Sequence, residues 1–421
     1  MTAEVAAMNK SAVALAADSK VTVAAGQKTY DTVNKIFTLS KVHPVGIMIY
    51  GNADFMEYPW ETVIRIYRAQ KKSTAERLLE DWGDDFWQFV RKFGPITERG
   101  RTNNIEVTLY SVFQEIEDHA VYHAHLANVS TTSAEYQKIL LDLTELEIKE
   151  AYVTSNWADK KYASQIVNKY WRVIGQFAAP YKRGSALYDK TIELAIAILL
   201  KQYYPTNCSG IVIAGFGQKD IFPSFLNYTC AGYIGSRIKL DRSDPAKITM
   251  GNTSSMQAFA QGDIVYRFME GVDRGYANVL RGLFKTALVE SNISTFEKWA
   301  PKGKRSSKSR KQIETAATKQ YEKLLADAQD YRRTRFIGPT LDMVALLPKD
   351  ELAQLAESLV ALTSLHRRVS REMETVGGAI DVAVISKSEG FIWIKRKHYF
   401  KPELNPHFAL NYMRDIKGAQ Q

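Results

Sequence analysis

The 421-residue chain is 45% apolar, has two cysteines and carries a formal net charge of +10. That length and apolar content support a sizeable core in two or three domains, or in one domain with large insertions, and so few cysteines exclude a disulfide framework or a thiolate zinc cage. No run approaches the roughly 18 uncharged apolar residues that cross a bilayer, and the first twenty residues lack the charged-then-apolar order of a secretory leader, so a soluble cytoplasmic protein with no membrane partner is expected.

In chain order, residues 3–23 ("AEVAAMNKSAVALAADSKVTV") and 36–50 ("IFTLSKVHPVGIMIY") are short apolar runs broken by turn residues, the pattern of strands. The period then becomes helical. Val63, Ile64 and Tyr67, then Leu78, Leu79, Trp82, Phe86, Phe89, Val90 and Phe93 recur at helical spacing, as do long stretches of 131–203. Strand text returns at "SGIVIAGFG" and "NYTCAGYIGSRIKL"; Cys208, just before the first, and Cys230, within the second, read as reduced structural thiols. An amphipathic helix is expected over 254–290 and another over 348–371. Between them "PKGKRSSKSRKQ" (301–312) holds much of the basic excess, without aromatics to stack on bases. It reads as a solvated, mobile loop, so nucleic acid is not the expected partner; a steep fall of affinity with salt would mark a nucleic-acid module instead. The chain closes on "GGAIDVAVISKSEGFIWIKRKHYF", a hairpin with its turn at "SEG". Strands at both ends with helices between them predict an α+β sandwich in which N- and C-terminal strands share sheets.

The opening hairpin carries chemistry. A turn at "MNK" centred on Lys10 pairs positions whose numbers sum to about 20, which sets Thr2 opposite Asp18 with Cβ atoms about 4.5–5.5 Å apart. Met1 precedes a small residue, the situation in which the initiator methionine is removed. Removal leaves Thr2 with a hydroxyl and a free α-amine, and an amine titrating at about pH 8 accepts the hydroxyl proton at neutral pH. Nucleophile and base then reside on one residue.

"MTAEVAAMNKSAVALAADSKVT" resembles the opening of the N-terminal nucleophile hydrolases, specifically proteasome β-subunits and their bacterial relatives. The resemblance implies an αββα sandwich with Thr2 as nucleophile, Asp18 as the buried aspartate, Lys20 as the basic residue after it and Thr22 beside the substrate cleft. "NKIFTL" is similar to the family's Lys-Ile segment, which implies that Lys35 lies beside the nucleophile. "IYGNADF" is similar to the glycine turn before the first helix, which implies the Gly51 amide in an oxyanion hole, with Asn52 joining Lys20 and Thr22 in binding substrate. "GIVIAGFG", "ITMGNTSSMQAF" and the closing Gly-Gly strand pair fall where the family has middle strands, a Gly-Ser turn opening its third helix, and its last sheet strands. The implied core comprises 2–69, 206–290 and 346–421, interrupted by a helical insertion at 70–205 and a basic, helical one at 291–345. The implied protein is a threonine-type peptidase and homo-oligomer that acts on a peptide or protein and takes no metal or organic cofactor. An inactive assembly subunit and a transpeptidase are the alternatives on the same scaffold.

The sequence departs from the family in places. Where an Asp and a Ser usually support the α-amine before Gly-Gly, the text is "METVGG", with Met373 and Val376 in those positions. Glu374 or Thr375 substitutes only with a shifted backbone. "MGNTSS" offers Asn252 and Thr253 in place of the Ser of the middle turn. Three further motifs have plain readings. His119 and His123, with His125 nearby, lack the glutamate of a metalloprotease helix and read as surface or packing histidines. "AGFGQKD" lacks a third glycine, leaving Asp220 as a turn residue. "KSEGFIWIKRK" reads as a solvated sheet face with Phe391 and Trp393, or their neighbours, turned inward.

Overall fold

The computed structural model describes residues 2–23, 28–94, 96–243, 245–301, 307–370, 376–398, 400–407 and 410, with backbone alone at 22, 23 and 402. The chain opens with β1 (Ala3–Asn9), β2 (Ala12–Ala17), β3 (Val21–Val23), β4 (Lys28–Tyr30), β5 (Ile36–Thr38), β6 (Val45–Gly51), β7 (Asp54–Phe55) and β8 (Tyr58–Pro59). Helices follow: α1 (Trp60–Lys71), α2 (Leu79–Lys92), α3 (Glu98–Leu126), α4 (Ala134–Val153), α5 (Lys160–Ala178) and α6 (Ala186–Leu200). Next come β9 (Ser209–Gly215), β10 (Ser224–Ile234), β11 (Arg237–Arg242), β12 (Ala246–Lys247) and β13 (Ser254–Ala260). The remainder is α7 (Asp263–Glu270), α8 (Arg274–Trp299), α9 (Ser307–Arg332), α10 (Gly338–Leu346), α11 (Lys349–Val369), β14 (Asp381–Ser386) and β15 (Gly390–Lys395).

This is a mixed α+β chain of two compact units: the first holds 2–33, 247–386 and 392–398, the second 34–246, 387–391 and the residues from 400 onward. In the first unit a sheet runs in the order β13-β1-β2-β14-β15. Chain-terminal strands therefore do share a sheet, with Ala14 of β2 level with Val384 of β14. Alanine is depleted in strands generally, yet β1 and β2 are rich in it and wholly buried. Packing explains the choice: Val5, Ala7, Ala12, Ala14 and Ala16 form one face, on which Leu352, Ala356 and Val360 of α11 pack closely.

The expected helix over 254–290 is corrected here. Residues 254–260 pair with β1 along its full length, and burial of Ser254, Met256 and Ala258 follows the period of 2 that marks a strand. Gly271, left-handed at φ +71°, then ends α7 before α8 begins. The expected loop at 301–312 is corrected in part, because Ser307–Gln312 opens α9; residues 302–306 lie outside the described residues.

The second unit holds a sheet ordered β11-β10-β9-β6-β5. One face, including Ile47, Ile49, Ile211, Ile213 and Leu226, packs on Trp60 and Ile64 of α1 and on Trp82, Phe86 and Trp87 of α2. Helices α3 to α6 have their own core around Ile105, Leu109, Ile166, Ile174, Leu194 and Ile198. Asp220 is a turn residue, accepting from Gly217 N at 2.7 Å, and it also caps α2 by accepting from Leu79 N at 2.8 Å. Along β15, Phe391 and Trp393 are half-buried while Ile392 and Ile394 are exposed. No described helix is long and apolar enough to cross a membrane.

Candidate active site

The β1–β2 register corrects the expected one by a single residue. Glu4 lies level with Ala17 and Val5 with Ala16, so paired numbers sum to 21 and Lys10 and Ser11 make a two-residue turn. Ala3, rather than Thr2, is therefore level with Asp18, whose N–H donates to the Ala3 carbonyl at 3.2 Å. Thr2 nevertheless reaches the carboxylate diagonally. Its Oγ1 donates to Asp18 Oδ1 at 2.6 Å, and the Ala3 N–H donates to the same oxygen at 3.0 Å.

The other carboxylate oxygen, Oδ2, accepts from Gly377 N at 3.0 Å and from Lys20 N at 3.3 Å. Asp18 is 1% exposed and Thr2 4%. Four donors on a buried carboxylate meet the requirement that an interior acceptor be satisfied, and they fix the plane of the carboxyl group and hence the direction of the Thr2 hydroxyl. The Gly-Gly segment is part of this shell: the Gly377 carbonyl accepts from Ser19 N and Lys20 N, both at 3.1 Å, and Ser19 Oγ donates to the Ala379 carbonyl. Gly377, Ser19 and Gln261, whose N–H donates to the Thr2 carbonyl at 3.1 Å, were not among the sequence-derived site residues. The conspicuous "GG" was the signal for the first of them.

Lys20 contributes its backbone to this shell. Its side chain is buried, with Nζ 3.9 Å from Asp31 Oδ1. Thr22 is placed by its backbone, level with Thr29 across β3 and β4.

Asn252 and Thr253 are corrected as supports for a Thr2 amine. The antiparallel register sets Ala260 beside Ala3 and Ser254 beside Asn9, so residues just before Ser254 lie at the far end of β1, about 20 Å away at ~3.3 Å per residue. The Asn252 side chain is engaged in its own turn, its Nδ2 donating to the Lys247 carbonyl at 3.0 Å. Met1, Met373, Glu374 and Thr375 lie outside the described residues. Val376 is fully buried among the apolar residues on α11.

In the second unit, Lys35 is 5% exposed just before β5, and its carbonyl accepts from Ile49 N at 2.9 Å. Gly51 ends β6 at φ +72°, and a Cβ there would sit 2.2 Å from the Cys208 carbonyl oxygen. Only glycine fits that backbone. Asn52 N donates to the Cys208 carbonyl at 3.2 Å, its carbonyl accepts from Ser209 Oγ at 2.9 Å, and its Oδ1 accepts from Asp54 N at 3.0 Å. The Asn52 side chain thus shapes the glycine turn. Cys208 and Cys230 are free and buried, and loss of solvation pushes each thiol up to about 12, the state of an unreactive sulfur. His119, His123 and His125 are exposed, and among the described residues no three His, Cys, Asp or Glu side chains are grouped to hold a metal ion.

The sequence matches no family model and no curated protein.

Proposed function

We propose that this chain is a threonine-type N-terminal nucleophile hydrolase, a proteasome-like peptidase of αββα architecture that works in the cytoplasm through a Thr2 acyl-enzyme. The observation that carries the reading is the buried 2.6 Å hydrogen bond from Thr2 Oγ1 to Asp18 Oδ1 at the edge of the Gly-Gly segment. The bond fixes the side-chain oxygen of a threonine that, once Met1 is removed, carries nucleophile and base on one residue.

The mechanism follows from bond-making. Once Met1 is removed, the Thr2 oxygen adds to a peptide carbonyl while the Thr2 α-amine takes the hydroxyl proton. The same amine protonates the departing nitrogen as the C–N bond breaks, leaving an ester on Thr2. Water, deprotonated by that amine, then attacks the ester and returns the threonine. Asp18 orients the hydroxyl. The resemblance assigns Lys35 the fixed positive charge favouring the alkoxide and Gly51 the amide that stabilises the oxyanion.

A rival reading, an inactive assembly subunit, is favoured by Val376, a buried aliphatic residue where the resemblance calls for a serine. An α′,β′-epoxyketone peptide series separates the two, because the ketone needs the Thr2 oxygen and the epoxide needs the Thr2 nitrogen. The expected adduct maps to the first residue of a chain whose intact mass lacks Met1, is lost in Thr2→Ala and persists partly in Thr2→Ser. Lys35→Ala is expected to lower turnover about 100-fold or more with the fold retained. Quantitative retention of Met1 in an active preparation, or labelling that survives Thr2→Ala, overturns the mechanism.

A further inference from the structure

Helices α8 and α9 form a hairpin of two 26-residue helices, each about 39 Å long at 1.5 Å per residue. The hairpin buries almost nothing of itself: no residue of α8 is buried, and Ala317 is the single buried residue among those described in α9. An ion pair between Arg310 and Glu297 at 3.3 Å joins the two helices near their connection. Helices of this kind are held by burying an apolar stripe, and here the stripe is open to solvent. On α8, Tyr276, Val279, Leu283 and Phe284 are each 60–65% exposed. An apolar groove of about 400 Å³ adjoins them, lined by Leu280, Phe284 and Leu288 of α8 and by Leu324, Leu325 and Ala328 of α9.

We propose that this face is the interface at which two copies of the chain pair about a two-fold axis, with their α8 helices antiparallel. Two features select a second copy as the occupant. The spacing of the set Tyr276, Val279, Leu280, Leu283, Phe284 and Ala287 is the same read in either direction. An antiparallel copy therefore opposes Tyr276 with Ala287, a large residue meeting a small one, and Leu280 with Leu283 along the centre of the interface, with Val279 on one flank, Phe284 on the other and no charge in the set. The area also fits. At roughly 100 Å² or more for each exposed side chain, the stripe and groove offer about 600–800 Å² per copy, the order of one side of a standard interface. Arg281, which also lines the groove, donates to Asn278 Oδ1 at 2.9 Å.

Light scattering on the full chain at tens of micromolar is expected to give at least twice the 47.6 kDa chain mass. Leu283→Asp combined with Phe284→Asp should return it to the single-chain mass with an unchanged circular dichroism spectrum, while Lys319→Asp on α9 should leave the assembly intact. Mild oxidation of a mixture of Tyr276→Cys and Ala287→Cys chains should give a covalent dimer, and each variant alone should give far less because its two copies lie about 16 Å apart along the helices at 1.5 Å per residue; the native cysteines are buried. This cross-link is the deciding readout if the aspartate variant fails to fold. A single-chain mass for the native protein, an assembly that survives the double aspartate variant, or a larger assembly without the Tyr276→Cys to Ala287→Cys cross-link overturns the proposal.

Discussion

At the scale of single residues, two buried charged side chains illustrate how partners decide what a group can do. Asp18 accepts from the Thr2 hydroxyl and from the backbone amides of Ala3, Lys20 and Gly377, so main chain from both the opening hairpin and the Gly-Gly segment fixes its carboxyl group. Lys239, on β11, is 1% exposed and donates to the carbonyls of Ile198 and Tyr203, each at 2.7 Å, with the Tyr204 ring 5.0 Å away. The Ile198 carbonyl belongs to the last turn of α6, where backbone acceptors lack helical partners. Loss of solvation lowers the Lys239 pKa to about 7. From about pH 7 upward the native side chain has released a proton that the unfolded chain keeps up to about 10.4, so the unfolded state binds more protons and stability rises with pH. Below about 7 the contribution is flat. Thermal melts are expected to climb between pH 7 and 9, with a slope from this group of at most about 1.4 kcal/mol per pH unit, and Lys239→Met should flatten that rise. An unchanged slope in the variant would show that Lys239 is not its source.

At the scale of elements, short-range chemistry places ends and tertiary pairing places faces. The start of α2 is set by Asp220, which reaches from the loop after β9 to the Leu79 N–H while closing its own turn on Gly217. Asp220→Ala removes the carboxylate oxygen that accepts both bonds, and a loss of about 1–2 kcal/mol is expected, the range for a lost helix cap; denaturant titration at constant m-value checks it. A change below a few tenths would mean that solvent replaces the carboxylate. The β1–β2 hairpin shows the complementary case. Its existence is evident in the text, but a two-residue turn, rather than one centred on Lys10, shifted the pairing by one position. Since a one-residue slip exchanges the two faces of a strand, only side chains next to the turn or long enough to reach diagonally keep an expected partner. Thr2 and Asp18 do so because both lie beyond the strand ends.

At the scale of the molecule, the chain passes between its two units several times, so neither unit is continuous in sequence. The first unit's central hairpin is completed by segments far downstream: β13 flanks β1, and β14 flanks β2. A fragment ending at residue 246 would carry β1 and β2 with both flanks open and their alanine and valine faces uncovered. Such edges invite intermolecular pairing, and the fragment is expected to be insoluble where the full chain is soluble, as measured by partition after centrifugation. A soluble, monomeric fragment would show that the hairpin is stabilised without its downstream neighbours.

Periodicity and turn residues in the sequence already determine the strand text at both ends, the helices from Trp60 to Leu200, the strands around Ile211 and Tyr228 and the last helix, because each of these follows from side-chain spacing within one segment. The juxtaposition of Thr2 with Asp18 was also legible, since it depends on one local hairpin. What needed tertiary structure was everything that depends on a distant partner. Residues 254–260 carry a pattern compatible with a helix and become a strand because β1 offers them a row of hydrogen-bonding groups. Asn252 and Thr253 are removed from Thr2 by the direction in which that strand runs, and Gly377 joins Asp18 only because β14 returns beside β2. Spacing along a chain records which side chains share a face; the antiparallel register between segments hundreds of residues apart decides which of them meet.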